Sequence, residues 1–598
     1  MRNQDNAMPE ELVIPSEIRG KKVVEISKEA FDGYTNLKSV TIPASVELIE
    51  YHAFRGCTNL SSITFENPDA DIDRNAFDNT AWFEEQLSIS PLVFIGNNLY
   101  NGSAANGDVI IPDGTVKISN KAFQKNRNIT SVTMPDSLES IGESAFYECT
   151  GINAVSFGNE LKTIGEYAFC HCKALEAVEI PASVTEIGAG AFWDCHLLPS
   201  VVLPNGLTEI QENTFCNCYA LESVVIPDSV TSIGNSAFAF DQQLRELTIP
   251  DGITHLGGNA FYKTPWLNEQ MKDQQFLIIN GILASVADMK GDIVIPDTVT
   301  AIADGLFENQ SVTSVTIPNT ITKIENETFA YCNKLTSVNI PESVTWIGTR
   351  AFVGCESLTE ITIPESVTEL ESCTFQACAA LQKVNIAANI TALDSSVFKK
   401  CTSLTDIAFP STIKTIGMSA FEGCTALESI ALPEQLEYID VTAFRNCTSL
   451  RDVQFPDSLL ELGVASFHSC PALKSVHIPA SLGLFDLHCL GFYMDENNKE
   501  HQMTDFTIYG YTGSMAHGYA LHHEFTFIPV DQPESISGDV DCNGEVDISD
   551  AILLARYTAE DVGISLTDEG KKNADVNADG KYTAEDTAYI IRIIARLV

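Results

Sequence analysis

The sequence predicts a repeat solenoid, a parallel β-sheet joined by turns and short helical segments, followed by a small all-α module at the C-terminal end. Three observations predict it. One phenylalanine recurs every 23 residues over most of the 598-residue chain; an Ile-Pro pair recurs in register with it; and two acidic twelve-residue loops lie in the last 60 residues.

The phenylalanine ladder comes first because internal periodicity decides the architecture. It runs Phe31, Phe54, Phe77, Phe123, Phe146, Phe169, Phe192, Phe215, Phe238 and Phe261. It resumes at Phe307, Phe329, Phe352, Phe375, Phe398, Phe421, Phe444 and Phe467. The step is 23, with one step of 22 and two of 46, and these positions take 18 of the 31 phenylalanines. The steps of 46 are two periods, so each hides a degenerate coil.

The second ladder includes Ile42-Pro43, Ile111-Pro112, Ile226-Pro227, Ile317-Pro318, Ile363-Pro364 and Ile478-Pro479. Residues before each pair alternate, as in Leu335-Thr-Ser-Val338-Asn-Ile340, which reads as a strand with one face inward. Proline ends the strand because it cannot donate to a ladder. The stretch that follows, of the form Ser-Val-Thr-x-Ile-Gly-x-x-Ala-Phe, turns the chain back. One such unit cannot bury its apolar face alone, whereas stacked units can.

The two long steps carry related insertions, near 78–110 and 262–294. Both hold an Ala-Phe…Trp segment, around Trp82 and Trp266, and then apolar runs broken by a turn signal, Gly-Asn-Asn or Asn280-Gly281. Both read as hairpins projecting from the coil. As local plugs they would divide the solenoid; as ligand-facing loops they would offer Trp82, Tyr100 and Trp266. Residues 504–530 leave the period and read as strand, turn, short helix and last strand, a C-terminal cap over about 485–530.

The repeat text, best seen in Leu427-Glu-Ser-Ile430-Ala-Leu432-Pro433 and Val230-Thr-Ser-Ile233-Gly234-Asn-Ser-Ala-Phe238, resembles the BspA-like bacterial surface-antigen leucine-rich repeat from about residue 11 to 480. The resemblance implies a curved solenoid that serves binding or adhesion, with no particular ligand. Outward strand positions such as Thr316, Asn339, Thr362, Asn385 and Gln454 are polar and mixed, which favours a protein partner over a polysaccharide.

Twelve of the 17 cysteines stand three residues after a ladder phenylalanine. The same site elsewhere holds Thr80, Asn126 or Asp241, so it takes a small side chain. Buried free thiols are expected there, although neighbouring coils are close enough that spacing does not exclude disulfides. Cys170-His171-Cys172 follows from the repeat phase and does not read as zinc spacing.

After a linker over 531–537 the text changes. Asp539, Asp541, Asn543, Glu545, Asp547 and Asp550 occupy positions 1, 3, 5, 7, 9 and 12 of a calcium-loop pattern with Gly544 at position 6. Asp575, Asn577, Asp579, Lys581, Thr583 and Asp586 repeat it with Gly580 at position 6. Position 7 supplies a backbone carbonyl and the others side-chain oxygens, directly or through water, a donor set that suits Ca²⁺. The loops thus call for two calcium ions. A helix is expected after each loop and no full helix before either.

This duplicated loop-plus-helix unit, over 538–598, resembles a type I dockerin. The resemblance implies docking to a cohesin domain of a scaffoldin in a cellulosome-like complex. The cohesin contacts it implies are Ile548, Ser549 and Arg556 in the first half and Ala584, Glu585 and Arg592 in the second. The halves differ, Ile-Ser against Ala-Glu, so one preferred face is expected. Extracellular placement follows from the same resemblance.

Composition excludes other classes. Lys plus Arg is 35 and Asp plus Glu is 81, a net charge of −46, which argues against a nucleic-acid partner and a polybasic membrane anchor. No apolar run approaches the ~20 residues of a membrane span, and the first residues hold no signal-peptide apolar core. His-Glu-x-x-His, Gly-x-Ser-x-Gly and Walker patterns are absent, and His522-His523-Glu524 reads as a cap cluster. The expectation is a non-catalytic chain with residues 1–530 as its repeat domain; the alternatives are a subunit that binds or hydrolyses polysaccharide through the solenoid surface, or a purely architectural spacer.

Overall fold

The structure, a computed structural model, describes residues 9–530 and 536–596 except 288, 486, 487, 496, 498, 544 and 562. Each coil contains two strands. The longer one is the Ile-Pro strand, and successive copies pair in parallel: Glu360–Ile363 lies beside Lys383–Ile386 with Ile361 opposite Val384 and Thr362 opposite Asn385. The second strand is only two residues, the Thr-x-Ile stretch that was expected merely to turn the chain: Trp346–Ile347 pairs in parallel with Glu369–Leu370. Alternation sends Ile361, Val384, Ile347 and Leu370 inward. The regular coils close through turns. The helices of the repeat region lie in the two insertions and the cap.

The phenylalanines form the spine of the core. From Phe54 to Phe467 every ladder ring is 0–3% exposed. Neighbouring rings stack with centroids 4.8–6.1 Å apart and planes 3–20° apart. A side chain of this size stabilises by roughly 1.5–3 kcal/mol when fully buried, and it repeats in every regular coil. The turns beyond each ring adopt left-handed conformations at non-glycine residues, such as Ser144 and Glu148 with φ of 54° and 57°. Coil-to-coil bonds hold them: the N–H groups of Ser144, Phe146 and Glu148 donate to the carbonyls of Glu166, Ala168 and Cys170 at 2.7–2.8 Å. This third ladder offsets the roughly 1–2 kcal/mol of left-handed strain per residue.

The cysteine column is resolved by the same geometry. All 17 cysteines are free. In each of the twelve ladder positions the thiol donates to the carbonyl of the phenylalanine one coil earlier, as from Cys401 to Phe375 at 3.2 Å and from Cys149 to Phe123 at 3.0 Å. Asn126 does the same work with its amide, donating to the carbonyls of Gly102 and Ala105 at 3.1 and 2.8 Å. At these positions a small donor satisfies an otherwise buried carbonyl, whereas Asp241 at the same place accepts from Cys218 N–H at 2.8 Å.

Each insertion contains a helix as well as a hairpin. Helix α1 (Ala81–Ile89) is capped by Thr80, whose hydroxyl accepts from Phe83 N–H. The hairpin Val93–Ile95/Asn98–Asn101 follows. Helix α2 (Pro265–Gln270) is capped by Thr264 and followed by the hairpin Phe276–Ile279/Ile282–Val286. The hairpins do not project: Asn98–Asn101 and Ile282–Val286 pair in parallel with the next short strands. Tyr100 is 1% and Trp266 9% exposed, and Trp82 packs on Phe77 and Tyr100, so these aromatics are core and not ligand-facing. The first insertion divides the core, with Tyr100 on one side and Leu99 on the other. Lys117 paired with Asp71, and Arg74 donating to the Gln124 carbonyl at 2.6 Å, join the parts. The second insertion is bridged by continuous core through Phe261, Leu283 and Ile302.

The C-terminal end of the sheet is continued by Thr507–Gly510 and Thr526–Pro529, paired in parallel beyond Ser475–His477. Helix α3 (Met515–His522) lies between them, and its Tyr519 hydroxyl donates to the Leu490 carbonyl at 2.8 Å. Past residues 531–535, which lie outside the described residues, come α4 (Ile548–Thr558), α5 (Asp568–Ala574) and α6 (Ala584–Ile594). They share a small core of Val540, Ala551, Leu554, Leu566, Ala574 and Ile590. Helix α5, only seven residues long, leads into the second loop, where no full helix was expected. Thr567 caps it by accepting from Gly570 N–H, and it ends at Asp575, the first residue of the second loop.

Candidate functional site: two acidic loops and their exit helices

The two loops fold alike. In the first, Asn543 N–H donates to Asp539 and Asp541 carboxylate oxygens at 3.0 and 3.2 Å, and Glu545 N–H to the Asn543 side-chain oxygen at 2.9 Å. In the second, Asp579 N–H donates to Asp575 and Asn577 at 2.9 and 3.0 Å, and Lys581 N–H to Asp579 at 2.9 Å. Cys542 and Ala578, equivalent in the two loops, are both left-handed, with φ of 60° and 57°. Gly580 has φ 78° and donates to Asp575 at 2.9 Å, the sharp turn expected of position 6. Gly544 lies outside the described residues.

The twelfth position closes each loop and opens each helix. Asp547 is the N-cap of α4 and Asp550 its third residue, and the two form a capping box. Thr583 and Asp586 do the same for α6. Asp550 accepts from the N–H groups of Val540, Asp541 and Asp547 at 2.7, 3.0 and 2.8 Å. Asp586 accepts from Asn577 and Thr583 N–H at 3.4 and 2.9 Å.

Electrostatics point to a cation. Asp550 and Asp586 are 0% exposed and Asp539 1%. Oxygens of Asp539, Asp541 and Asp550 all lie within 4.8 Å of one another. Burial, with the charges of Asp550, Asp539 and Asp547, raises the Asp541 carboxyl above its ordinary range. Such clustered carboxylates repel unless a positive charge sits among them. The donor set is hard oxygen: the Cys542 thiol faces Thr567 and Asn573. The side chains of Glu545 and Lys581 are exposed, as fits positions that would use a backbone carbonyl.

Two residues escaped the sequence reading. Asn573 on α5, 3% exposed, donates to the Asp539 carbonyl at 2.7 Å and its own carbonyl accepts from Gly538 N–H at 2.8 Å. Gly570 lets α5 approach the first loop, since a Cβ there would stand 2.5 Å from the Val540 carbonyl oxygen. A glycine inside a helix was the one available signal.

The exit helices present unequal faces. Ile548 is 56% and Ile552 52% exposed, and with Arg556 they fall four residues apart on one face of α4. Ser549 is exposed, and Arg556 pairs with Asp561 at 2.7 Å. The equivalent face of α6 carries Ala584, Ala588, Arg592 and the single large apolar side chain Ile591, 47% exposed, with Glu585 exposed and Arg592 over the Tyr589 ring at 5.6 Å.

On the repeat domain, the outward strand positions form a groove of about 920 Å³ lined by Thr316, Asn339, Thr362 and Asn385 and flanked by Glu360, Lys383 and Asp406. Gln454 lies further along, in a second depression with His477 and Tyr509.

Comparison with known proteins agrees with this architecture. The family model described as the BspA type leucine rich repeat region (6 copies) matches five overlapping segments that span residues 24–491, and the dockerin type I domain matches 537–595. A leucine-rich repeat protein from Bacteroides ovatus is 26% identical over 64% of this chain and 90% of its own, with a TM-score of 0.27. A leucine rich cell surface protein from Faecalibacterium prausnitzii is 30% identical over 58% of this chain and 90% of its own, with a TM-score of 0.33. No curated protein matches. Both matched domains are of non-catalytic kinds; a dockerin implies a cohesin partner, and leucine-rich repeats imply protein interaction. No helix among the described residues is long and apolar enough to cross a membrane. The chain therefore belongs to the BspA type leucine-rich repeat family and ends in a type I dockerin domain.

Proposed function

We propose that the chain is a non-catalytic subunit that docks to a scaffoldin cohesin in a calcium-dependent way and displays its repeat domain to a protein partner. Residues 1–530 are the repeat domain, 531–537 the linker and 538–598 the docking module. Two Ca²⁺ ions are held by Asp539, Asp541, Asn543, Glu545, Asp547 and Asp550, and by Asp575, Asn577, Asp579, Lys581, Thr583 and Asp586. The observation that carries this reading is the fully buried twelfth carboxylate of each loop, which is also the third residue of an exit helix. Filling the loop therefore fixes the helix.

Cohesin contacts come from Ile548, Ser549 and Arg556, with Ala584, Glu585 and Arg592 as the weaker alternative face. The larger exposed apolar area of Ile548 and Ile552 supports the first half as the preferred one. Attachment through a scaffoldin places the protein outside the cell. The polar strand groove around Thr316, Asn339, Thr362 and Asn385 offers hydrogen-bonding side chains to a protein segment laid across it.

Calorimetric titration of the chain with a panel of cohesins, in Ca²⁺ and then in EDTA, tests the docking role. Calcium-dependent binding is expected. Binding to none of the cohesins, or binding unchanged by chelation, overturns it.

A further inference from the structure

A strip of aromatic side chains lies on the turn face of the middle coils. Tyr147 meets His171 edge-on at 5.4 Å, His171 lies 5.9 Å from Trp193, and Trp193 lies 6.3 Å from Tyr167. His196 stacks on Tyr219 at 4.5 Å. Asp194 joins the parts, with His171 at 2.8 Å and His196 at 3.6 Å. All six rings are partly exposed.

The repeat does not require these residues. One and two positions after the ladder phenylalanine, later coils carry Val353 and Gly354, Gln376 and Ala377, Lys399 and Lys400, or Glu422 and Gly423. The same backbone forms there with small or charged side chains. The cluster is also a poor stabiliser. Trp193 Nε1 is buried with no hydrogen-bond partner, and an unmade bond costs about 1–3 kcal/mol. Residues that break a local rule without structural need mark functional surfaces.

The strip is held rigidly. N–H groups of Glu148, His171 and Asp194 donate to the carbonyls of Cys170, Trp193 and Cys216 at 2.7–2.9 Å, so the side chains step along the axis at coil spacing. Gly190 (φ 59°) allows the Tyr167 ring to lie against it: a Cβ there would be 2.6 Å from that ring. Rings displayed in fixed steps, with a carboxylate and two imidazoles among them, suit a chain of flat apolar faces and hydroxyl edges.

We propose that this strip binds a neutral polysaccharide, with sugar rings stacked on Tyr147, Trp193 and Tyr167 and hydroxyls bonded to His171 and Asp194. Charge selects the class. The chain carries −46 net, and Glu143, Glu166 and Glu212 surround Tyr167, so an acidic polysaccharide is repelled.

The test is affinity electrophoresis of the full chain in gels containing hydroxyethylcellulose, galactomannan or polygalacturonate. A neutral polysaccharide is expected to retard the chain. Trp193→Ala and Tyr147→Ala should each weaken this about ten-fold or more, while Tyr331→Ala, on a distant coil, should not. Tyr147 is the safer variant for folding, and an unchanged melting temperature for it excludes a structural effect. No retardation by either neutral polymer, retardation by polygalacturonate alone, or retardation unchanged in both variants overturns the proposal. A protein ligand lost on the same substitutions, without glycan retardation, also overturns it.

Discussion

The Asp550 carboxylate accepts the backbone N–H of Val540 at 2.7 Å, so the last residue of the first acidic loop is bonded to the second. The same carboxylate caps α4 through Asp547 N–H at 2.8 Å. Loop closure and helix entry therefore rest on one side chain. Asp550→Ala is expected to weaken first-loop calcium affinity by about 100-fold and to lower the helical circular dichroism of the isolated 536–598 segment. Calcium titration followed by circular dichroism checks this. Affinity within three-fold of the parent would sink it.

The two halves of the docking module make a directional prediction. Ile548→Asp combined with Ile552→Asp should weaken cohesin binding by about 2 kcal/mol or more, about thirty-fold. Ala584→Asp with Ala588→Asp should change it by less than about 1 kcal/mol. Calorimetry in saturating Ca²⁺ reads both. The reverse ranking would make α6 the preferred face.

The thiol column predicts both labelling and pH dependence. Burial raises Cys57 to about 11 and Cys149, Cys424 and Cys470 to about 12, from an ordinary value of 9.0. A thiol whose folded pKa is raised contributes stability that is complete below pH 9 and lost as pH climbs toward 12. Denaturant midpoints of the repeat domain should therefore hold between pH 7 and 8.5 and fall by pH 10.5. Iodoacetamide at pH 8 should modify the exposed Cys542 first, with the ladder thiols protected until the chain unfolds. Rapid labelling of the twelve ladder thiols in the native state would contradict the geometry.

The phenylalanine spine predicts a local loss with a known size. Phe375 is fully buried between Phe352 and Phe398, 5.2 and 5.7 Å away. Phe375→Ala should destabilise by roughly 3–5 kcal/mol. Because each coil touches mainly its neighbours, hydrogen exchange should rise most in the coils around 350–400. A uniform rise from residue 24 to 491 would argue for a single cooperative unit.

Cys401→Ala separates the thiol's two roles. It removes the donor to the Phe375 carbonyl and leaves a small void, at an expected cost of about 1–3 kcal/mol. Cys401→Ser restores a donor and should recover part of that loss in urea denaturation. If serine is no better than alanine, the column serves packing alone.

Periodicity was enough to read the solenoid and the inward faces of its strands, and residue spacing was enough to place the two acidic loops. A 23-residue recurrence of Phe, Ile-Pro and Cys leaves stacking as the one way to bury each unit's apolar face, and oxygen donors at fixed spacing in a glycine-turned loop are local features. What needed three dimensions was every bond that crosses between coils or halves. The short second strand, the thiol-to-carbonyl bonds of Cys401 and its fellows, the burial of Trp266 and Tyr100, and the link from Asn573 to Asp539 all join residues more than 20 positions apart. Helix α5 was hidden because a seven-residue polar helix has too few turns to show a period. The aromatic strip was hidden for a related reason: Tyr147 and Trp193 follow their ladder phenylalanine by one residue, Tyr167 precedes its own by two and Tyr219 follows by four, and only coil stacking brings them together. Local spacing decides what each coil can be, and the register between coils decides what the surface can hold.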